Sequence, residues 1–410
     1  MKIIKKINSV ALVVLPILRV YMITTGLTLS YLIELILIVL NFGSIAASFR
    51  KDKLNFSFFI GILIIGLISQ LVNSIHGEFS IYLSNLFVIS LFFFTLILLT
   101  NNCDTEFLKK VLLLSGLVVT GICSIQFYQL LSRGYFDNFY IPGFDLYRAN
   151  DIEEFRRRPY SVFSEPAHLA IYLLPLVYLS YRKKRYPLFV FFSLGVLLSG
   201  STTGLIALFA IILVSVDFHR KNMIWIVLSI FAVIFIMNNL SSEYLGTSID
   251  KLKESESNNI RLLGAIEYIK FFEPFNYIFG VGFNQVDNFL RMHGFFLVSN
   301  GVKITGNYAP ALLYMFICHG IVGFLFFIWY LNRIYKLSMS NKGFFVVLMC
   351  VLCSDQVLFN ENLMFVLACT ILSDKLLSDA NVVSVKKSVK IKEARNYKQN
   401  FAEWWKDGNN

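Results

Sequence analysis

Charge is scarce in this 410-residue chain. Only 15% of its residues are Asp, Glu, Lys or Arg and 56% are apolar, against about 25% and about 45 to 50% in an ordinary soluble domain. That balance excludes a water-soluble globular fold, because too few polar side chains exist to cover so much apolar surface. Cysteine is sparse where a disulfide would need it. Cys123, Cys318, Cys350, Cys353 and Cys369 fall in apolar runs and Cys103 in a short polar stretch, so the longer polar segments hold no disulfide framework. Cys350 and Cys353 form a C-x-x-C pair, but inside an apolar helix they read as small buried thiols and not as a redox or metal centre. No small-residue cleavage site follows the apolar run after Met1 to Lys6, so that run reads as a first membrane span and not as a signal peptide. No internal repeat is visible either.

What is present is a succession of apolar blocks, each near the length needed to cross about 30 Å of hydrocarbon at 1.5 Å per residue. The expected spans are 8–24, 27–47, 55–73, 80–100, 111–131, 166–181, 186–200, 203–217, 222–240, 309–331, 343–359 and 362–377. If the N-terminus is cytoplasmic, the inner segments carry 25 of the 37 Lys and Arg residues, and 11 more fall in two long outer loops. The short outer turns carry none, as the positive-inside rule requires. The remaining cation, Arg19, lies near the end of the first span, where it is expected to snorkel to the interface. The expected fold is an all-α integral membrane protein of about twelve transmembrane helices, with both termini cytoplasmic. Residues 1–381 form the polytopic domain and 382–410 a basic cytoplasmic tail. The net charge of +11 then reflects topology and contact with anionic membrane lipids, and not nucleic acid.

Two outer loops, 132–165 and 241–308, are far longer than the connections of about 2 to 8 residues usual between packed helices, and long loops on a rigid scaffold tend to carry function. The first ends in Arg156, Arg157 and Arg158, followed by Pro159 to His168. Three guanidinium groups beside a helix start suit a phosphate ligand, since their forks bind oxygens in pairs and the helix N-terminus adds positive potential. A solvated patch neutralised by Asp151, Glu153 and Glu154 is an equal reading. Glu165, just before Pro166, either complements the helix dipole or, with His168 three residues on, takes a proton from an attacking hydroxyl. The second loop contains Arg261, Lys270, Gly280-Val-Gly282, Arg291 and His293. Its stretch 260–272 is amphipathic at helical spacing, and Gly280-x-Gly282, lacking a preceding strand and a third glycine, reads as a turn. Neither loop has an Asp-x-Asp signature; Asp151-x-Glu153 is the nearest approach, so no metal is expected.

Arg158-Pro-Tyr-Ser-Val-Phe-Ser-Glu165-Pro-Ala-His-Leu-Ala170 resembles the segment that opens a helix in O-antigen and exopolysaccharide polymerases of the Wzy type. Three further segments agree in order: Leu197-Leu-Ser-Gly-Ser201-Thr-Thr-Gly204, Asn259-Ile-Arg261 through Pro274 to Gly280-Val-Gly282, and Asn307-Tyr308 to His319-Gly320-Ile-Val-Gly323. The resemblance covers roughly residues 155–325. The chain departs from the family pattern at Thr202, Gly306 and His319, and Arg291 to Gly301 falls one residue short of an arginine spacing known in some polymerases. The resemblance implies a bacterial cytoplasmic-membrane glycosyltransferase that lengthens a surface polysaccharide from units carried on undecaprenyl diphosphate, without metal or cofactor and with a chain-length regulator protein as a partner. It implies that Arg158 and Arg261 clamp the diphosphate, with Arg156, Arg157, Arg291 and His293 as further substrate contacts, and that Glu165 and His168 are the catalytic candidates. O-antigen ligases share the architecture, and a glycan flippase is the non-enzymatic alternative.

Overall fold

The computed structural model of the protein describes residues 2–24, 27–75, 83–146, 158–215, 265–295, 297–299, 302–304 and 309–378. Arg156, Arg157, Arg261, Asn307, Tyr308, the expected span at 222–240 and the tail 382–410 lie outside the described residues. The fold is mostly helical. Its helices are α1 (Lys2–Leu18), α2 (Leu29–Leu40), α3 (Ile45–Lys51), α4 (Lys53–Ile75), α5 (Leu83–Asn102), α6 (Thr105–Arg133), α7 (Pro166–Arg182), α8 (Tyr186–Leu198), α9 (Thr202–Ser215), α10 (Pro274–Phe279), α11 (Val286–Met292), α12 (Ala311–Leu337), α13 (Lys342–Ser354), α14 (Glu361–Ile371) and α15 (Ser373–Leu377). Strands β1 (Tyr21–Thr24), β2 (Leu27–Thr28) and β3 (Asp145–Leu146) form one small antiparallel sheet in the order β2-β1-β3, and β4 (Leu297–Ser299) pairs with β5 (Val302–Ile304).

Four described helices, Lys53–Ile75, Ser84–Asn102, Thr105–Arg133 and Ala311–Leu337, are long and apolar enough to cross a membrane. A fifth is reached if α2 and the bent segment Phe42–Lys51 count as one span. The expected count of twelve is not reached on this measure. α8 and α13 have 13 residues each, about 20 Å of helix where about 30 Å of hydrocarbon must be crossed.

Two expected spans are interrupted. Instead of a helix over 8–24, α1 stops at Leu18 and the chain continues as β1, which pairs with β3 from the first long loop. Instead of a straight helix over 27–47, the chain bends by 63° after α2. Asn41 explains the bend. Its side chain exchanges hydrogen bonds with Asn8 and, alongside its own N–H, donates to the Leu37 carbonyl at 2.8 Å, which ties this helix end to α1 at the bend.

Hydrogen bonds gather the chain into two ends. At one, Asn8 donates to Asn102 O, the Asp104 N–H reaches Lys5 O, and Lys109 and Lys183 donate to Ser378 O and Leu377 O. At the other, the Tyr21 hydroxyl accepts from Ile141 N, and Gln126 holds Ser161. Between them lies an apolar core in which Phe58 stacks on Tyr330 at 4.1 Å and Tyr172 on Phe365 at 4.8 Å. Gly195 brings α8 against Leu173 and Thr120, close backbone approach being the main source of helix association in an apolar solvent.

Candidate functional site

The first candidate segment is tied to the helices that follow it. Gln126, fully buried on α6, accepts from the N–H of Tyr160 (3.2 Å) and of Ser161 (2.6 Å) and donates to Ser161 O (3.0 Å). Ser161 adopts a left-handed backbone (φ 56°), a conformation costing about 1 to 2 kcal/mol for a residue with a Cβ. These bonds and the Ser161 hydroxyl donating to Val119 O at 2.8 Å offset it. The segment thus turns into α7 with Glu165 as N-cap and Pro166 at the first helical position. The Glu165 carboxylate makes no capping bond to the helix, so complementing the N-terminus is not its hydrogen-bonded role. Its side chain is buried, as is that of His168, whose Nδ1 lies 3.0 Å from Ser164 Oγ.

Arg158 reaches across to the α8–α9 turn, where its Nη1 donates to Gly200 O at 3.4 Å. That turn is the Ser-Thr-Thr-Gly segment, and its residues have local reasons to be there. Ser201 Oγ accepts from Gly204 N at 3.2 Å, capping α9 in the usual manner. A Cβ on Gly204 would lie 2.6 Å from Ala170 Cβ on α7. The first two segments of the resemblance therefore meet in space.

The other two meet as well. α12 is broken at Gly320, whose φ of 63° and ψ of −167° interrupt the helix. In an apolar medium the backbone groups freed by such a break need partners. The second-loop glycine pair supplies them: Val281 N donates to Ile317 O and Gly282 N to Cys318 O, both at 2.9 Å. Ser69 and Asn73 on α4 donate to Gly280 O. Gly280 and Gly320 face one another so closely that a Cβ on either would come within 3.0 Å of the other strand's backbone. The expected turn at Gly280-x-Gly282 is there, with φ of 74° and 96° at its glycines, and it docks on the helix break. His319 beside the break is fully buried, stacks on Phe283 with rings 6.5 Å apart, and has no hydrogen-bond partner for either ring nitrogen among the described residues.

No protein-family model and no curated protein matches this chain.

Arg291 and His293 stand apart from these segments. Both are exposed, and His293 donates from Nδ1 to Phe289 O while packing on the Phe289 ring at 4.4 Å. No described contact joins either residue to Arg158, Glu165 or His168. The described part of the amphipathic stretch buries Ala265, Tyr268 and Phe272 in the core. No group of three or more His, Cys, Asp or Glu side chains among the described residues is placed to hold a metal ion.

One constellation was not foreseen. Arg19 pairs with Glu361, its Nε 3.6 Å from Glu361 Oε2. Glu361 Oε1 also accepts from Ser30 Oγ, which in turn meets Thr28 Oγ1 at 2.7 Å. Glu34, buried one turn further along α2, lies within electrostatic range of Glu361.

Proposed function

We propose that the protein is a multi-pass glycan polymerase of the bacterial cytoplasmic membrane, moving a growing polysaccharide from its undecaprenyl diphosphate carrier onto a newly arrived lipid-linked unit. In this reading α1, α7, α8, α9, α13 and α14 join α4, α5, α6, α12 and the bent α2–α3 pair as shorter crossings, the apolar run 222–240 adds another, and twelve crossings leave both termini cytoplasmic. The observation that carries it is the convergence of Arg158, the Ser201 turn, Glu165 and His168 at the start of α7.

The chemistry follows from those groups. The bond between the anomeric carbon and the diphosphate oxygen breaks as an acceptor hydroxyl bonds to that carbon. Negative charge grows on the departing diphosphate, and guanidinium groups already in place stabilise it. Arg158 fills this role, with Arg261 as its partner. The acceptor's proton passes to the Glu165 carboxylate, and His168, held by Ser164, orients the acceptor. A charge-assisted hydrogen bond contributes about 1.5 to 3 kcal/mol, so Arg158→Ala is expected to slow transfer about tenfold to a hundredfold. With membrane abundance confirmed, the variant should make short glycans; normal long chains from both Arg158→Ala and Arg261→Ala would overturn the assignment.

A second reading is a lipid-linked glycan flippase. It is favoured by the Arg19–Glu361 pair and by the broken α12, since transporters use ionisable groups and discontinuous helices. Deletion followed by analysis of lipid-linked sugars separates the readings. Single units accumulating outside mark a polymerase, complete chains left on the carrier a ligase, and units trapped inside a flippase.

A further inference from the structure

Directly after α6 the chain carries apolar side chains that the fold leaves uncovered. Tyr135, Phe139, Ile141 and Phe144 are 57, 38, 48 and 38% exposed. They belong to a segment that is fixed on its other side. Phe136 is buried against Tyr160, with ring centroids 5.3 Å apart, and Tyr140 packs on both Tyr160 and Tyr21. The Tyr160 hydroxyl donates to Asn138 Oδ1 at 2.6 Å, Ile141 N donates to the Tyr21 hydroxyl at 3.2 Å, and Asp145 pairs with Met22 between β3 and β1. The level of the segment follows from α6. Residues 111–132 of that helix carry no charge and rise about 33 Å at 1.5 Å per residue, against about 30 Å of hydrocarbon. Lys110 thus marks one boundary and Arg133 the other. Past Gly134, whose φ of 75° ends the helix, the chain turns back along α6. Asp137 N donates to Gln129 Oε1 at 3.0 Å, Gln129 Nε2 to Asp137 Oδ2 at 2.9 Å and Gln126 Nε2 to Asp137 O at 3.4 Å, while Arg133 Nη1 lies 3.8 Å from the same carboxylate. Helical side chains lean toward the helix N-terminus, so Asp137 sits alongside the last two turns of α6 and not beyond them. Ile125, Tyr128 and Leu131 form the neighbouring stripe, which is exposed and continues the apolar face of Leu114, Leu117 and Val118.

We propose that residues 135–144 form an interfacial anchor, their exposed rings entering the bilayer leaflet on the Arg133 side, the outer one in the expected topology. Aromatic rings favour the boundary between headgroups and acyl chains, and interfacial segments bury an apolar face about 5 to 10 Å deep there. Three observations choose lipid as the occupant. The uncovered side chains are apolar, they stand level with the end of a membrane-crossing helix, and they adjoin the stripe of that helix that faces lipid. Residues 135–146 contain Asp137 and Asp145 but no Lys or Arg, so the anchor draws on apolar burial and not on attraction to anionic headgroups. The assignment rests on the membrane reading and is independent of glycan transfer.

The test uses the full-length protein in phosphatidylcholine nanodiscs, with Phe139→Trp or Phe144→Trp as a reporter. The emission that each adds over the wild type should be blue-shifted. Phosphatidylcholine brominated near the top of its acyl chains should quench it more than lipid brominated near the chain ends, and acrylamide in the water should leave it largely intact. The wild type, whose Trp329 is 37% exposed on the membrane-crossing α12, should itself lose emission to brominated lipid; if it does not, the membrane reading fails first and the anchor with it. Added emission quenched by acrylamide and not by brominated lipid places the rings in water, and relief of that quenching by a soluble polysaccharide would make them a glycan surface. Emission quenched by neither means that the rest of the chain covers them. Each of these results would overturn the anchor.

Discussion

The contact between Gly280 and Gly320 offers the sharpest quantitative test, because it binds a loop to a broken helix through backbone alone. Gly320→Ala adds a Cβ to a residue at φ 63° and forces that carbon inside 3.0 Å of Ile278 and Phe279 backbone atoms. That combination, φ 63° with ψ −167°, is open essentially to glycine alone and costs about 1 to 3 kcal/mol for another residue. The overlap then pushes the two segments apart and strains the Val281–Ile317 and Gly282–Cys318 hydrogen bonds, whose buried groups cost about 1 to 3 kcal/mol each when left unpaired. A loss of about 3 to 6 kcal/mol is expected. Two other glycines calibrate it. Gly134 has φ 75° but open space at its Cβ, and Gly121 has neither constraint. Gly134→Ala should therefore cost about 1 to 2 kcal/mol, and Gly121→Ala should stabilise α6 by up to about 1 kcal/mol. Denaturation of the detergent-solubilised variants, followed by circular dichroism, ranks them. Since both glycines serve one contact, Gly280→Ala with Gly320→Ala should cost less than the two single losses together. If Gly320→Ala melts with Gly134→Ala, the loop is not what seals the break.

Gln126→Leu leaves the Tyr160 and Ser161 amides without their acceptor, so amide hydrogen exchange at both should accelerate and glycan transfer should fall with Arg158→Ala; unchanged exchange would show that α6 does not hold the segment. Glu361→Leu removes the carboxylate that pairs with Arg19 and accepts from Ser30 and should cost about 1 to 3 kcal/mol, whereas Arg19→Leu with Glu361→Leu should recover part of it; single and double variants with the same melting point would contradict a coupled pair. Burial pushes the Cys103 thiol up to about 12, despite a hydrogen bond with Ser9 that acts the other way. At pH 8 its thiolate fraction is then about a thousandfold below that of an unfolded thiol of pKa near 9, and because the thiolate is the nucleophile, maleimide labelling should be slow until the pH approaches 12. Labelling of the folded protein at pH 8 as fast as in denaturant would refute that burial.

The long spans are legible in the sequence because a run of apolar residues without charge has few alternatives. α4, α5, α6 and α12 overlap the expected spans closely. One end is legible because chemistry marks it, Pro166 opening α7, whereas the cap of α6, Asp104 accepting from Phe107 N at 3.1 Å, lies ahead of the expected span 111–131. The bend at Asn41 is not legible, since one amide in an apolar run carries no sign of the Asn8 amide it meets. The break at Gly320 is hidden for the same reason. No proline marks it, and the partner that satisfies it comes from a different loop. The Ser30–Glu361 bond joins residues 331 positions apart, so only the rule that buried charges need partners could have drawn Glu361 and Arg19 together.

The resemblance placed the second-loop arginine and the glycine pair in one functional segment, but the glycines have a complete structural account. Two positive φ values, no room for a Cβ at Gly280 and hydrogen bonds to Ile317 and Cys318 carbonyls leave nothing for a ligand to explain. By anchoring the loop on the break in α12, they fix where its neighbouring residues begin, and under the proposed reaction their effect would be indirect. The first loop is anchored separately, by Gln126 on α6 and by β3 against β1. A reaction needing cations from both loops thus depends on two anchors in the apolar core. Substitutions there should lower transfer without altering any residue that meets substrate, which separates positioning from chemistry more cleanly than changing the arginines alone.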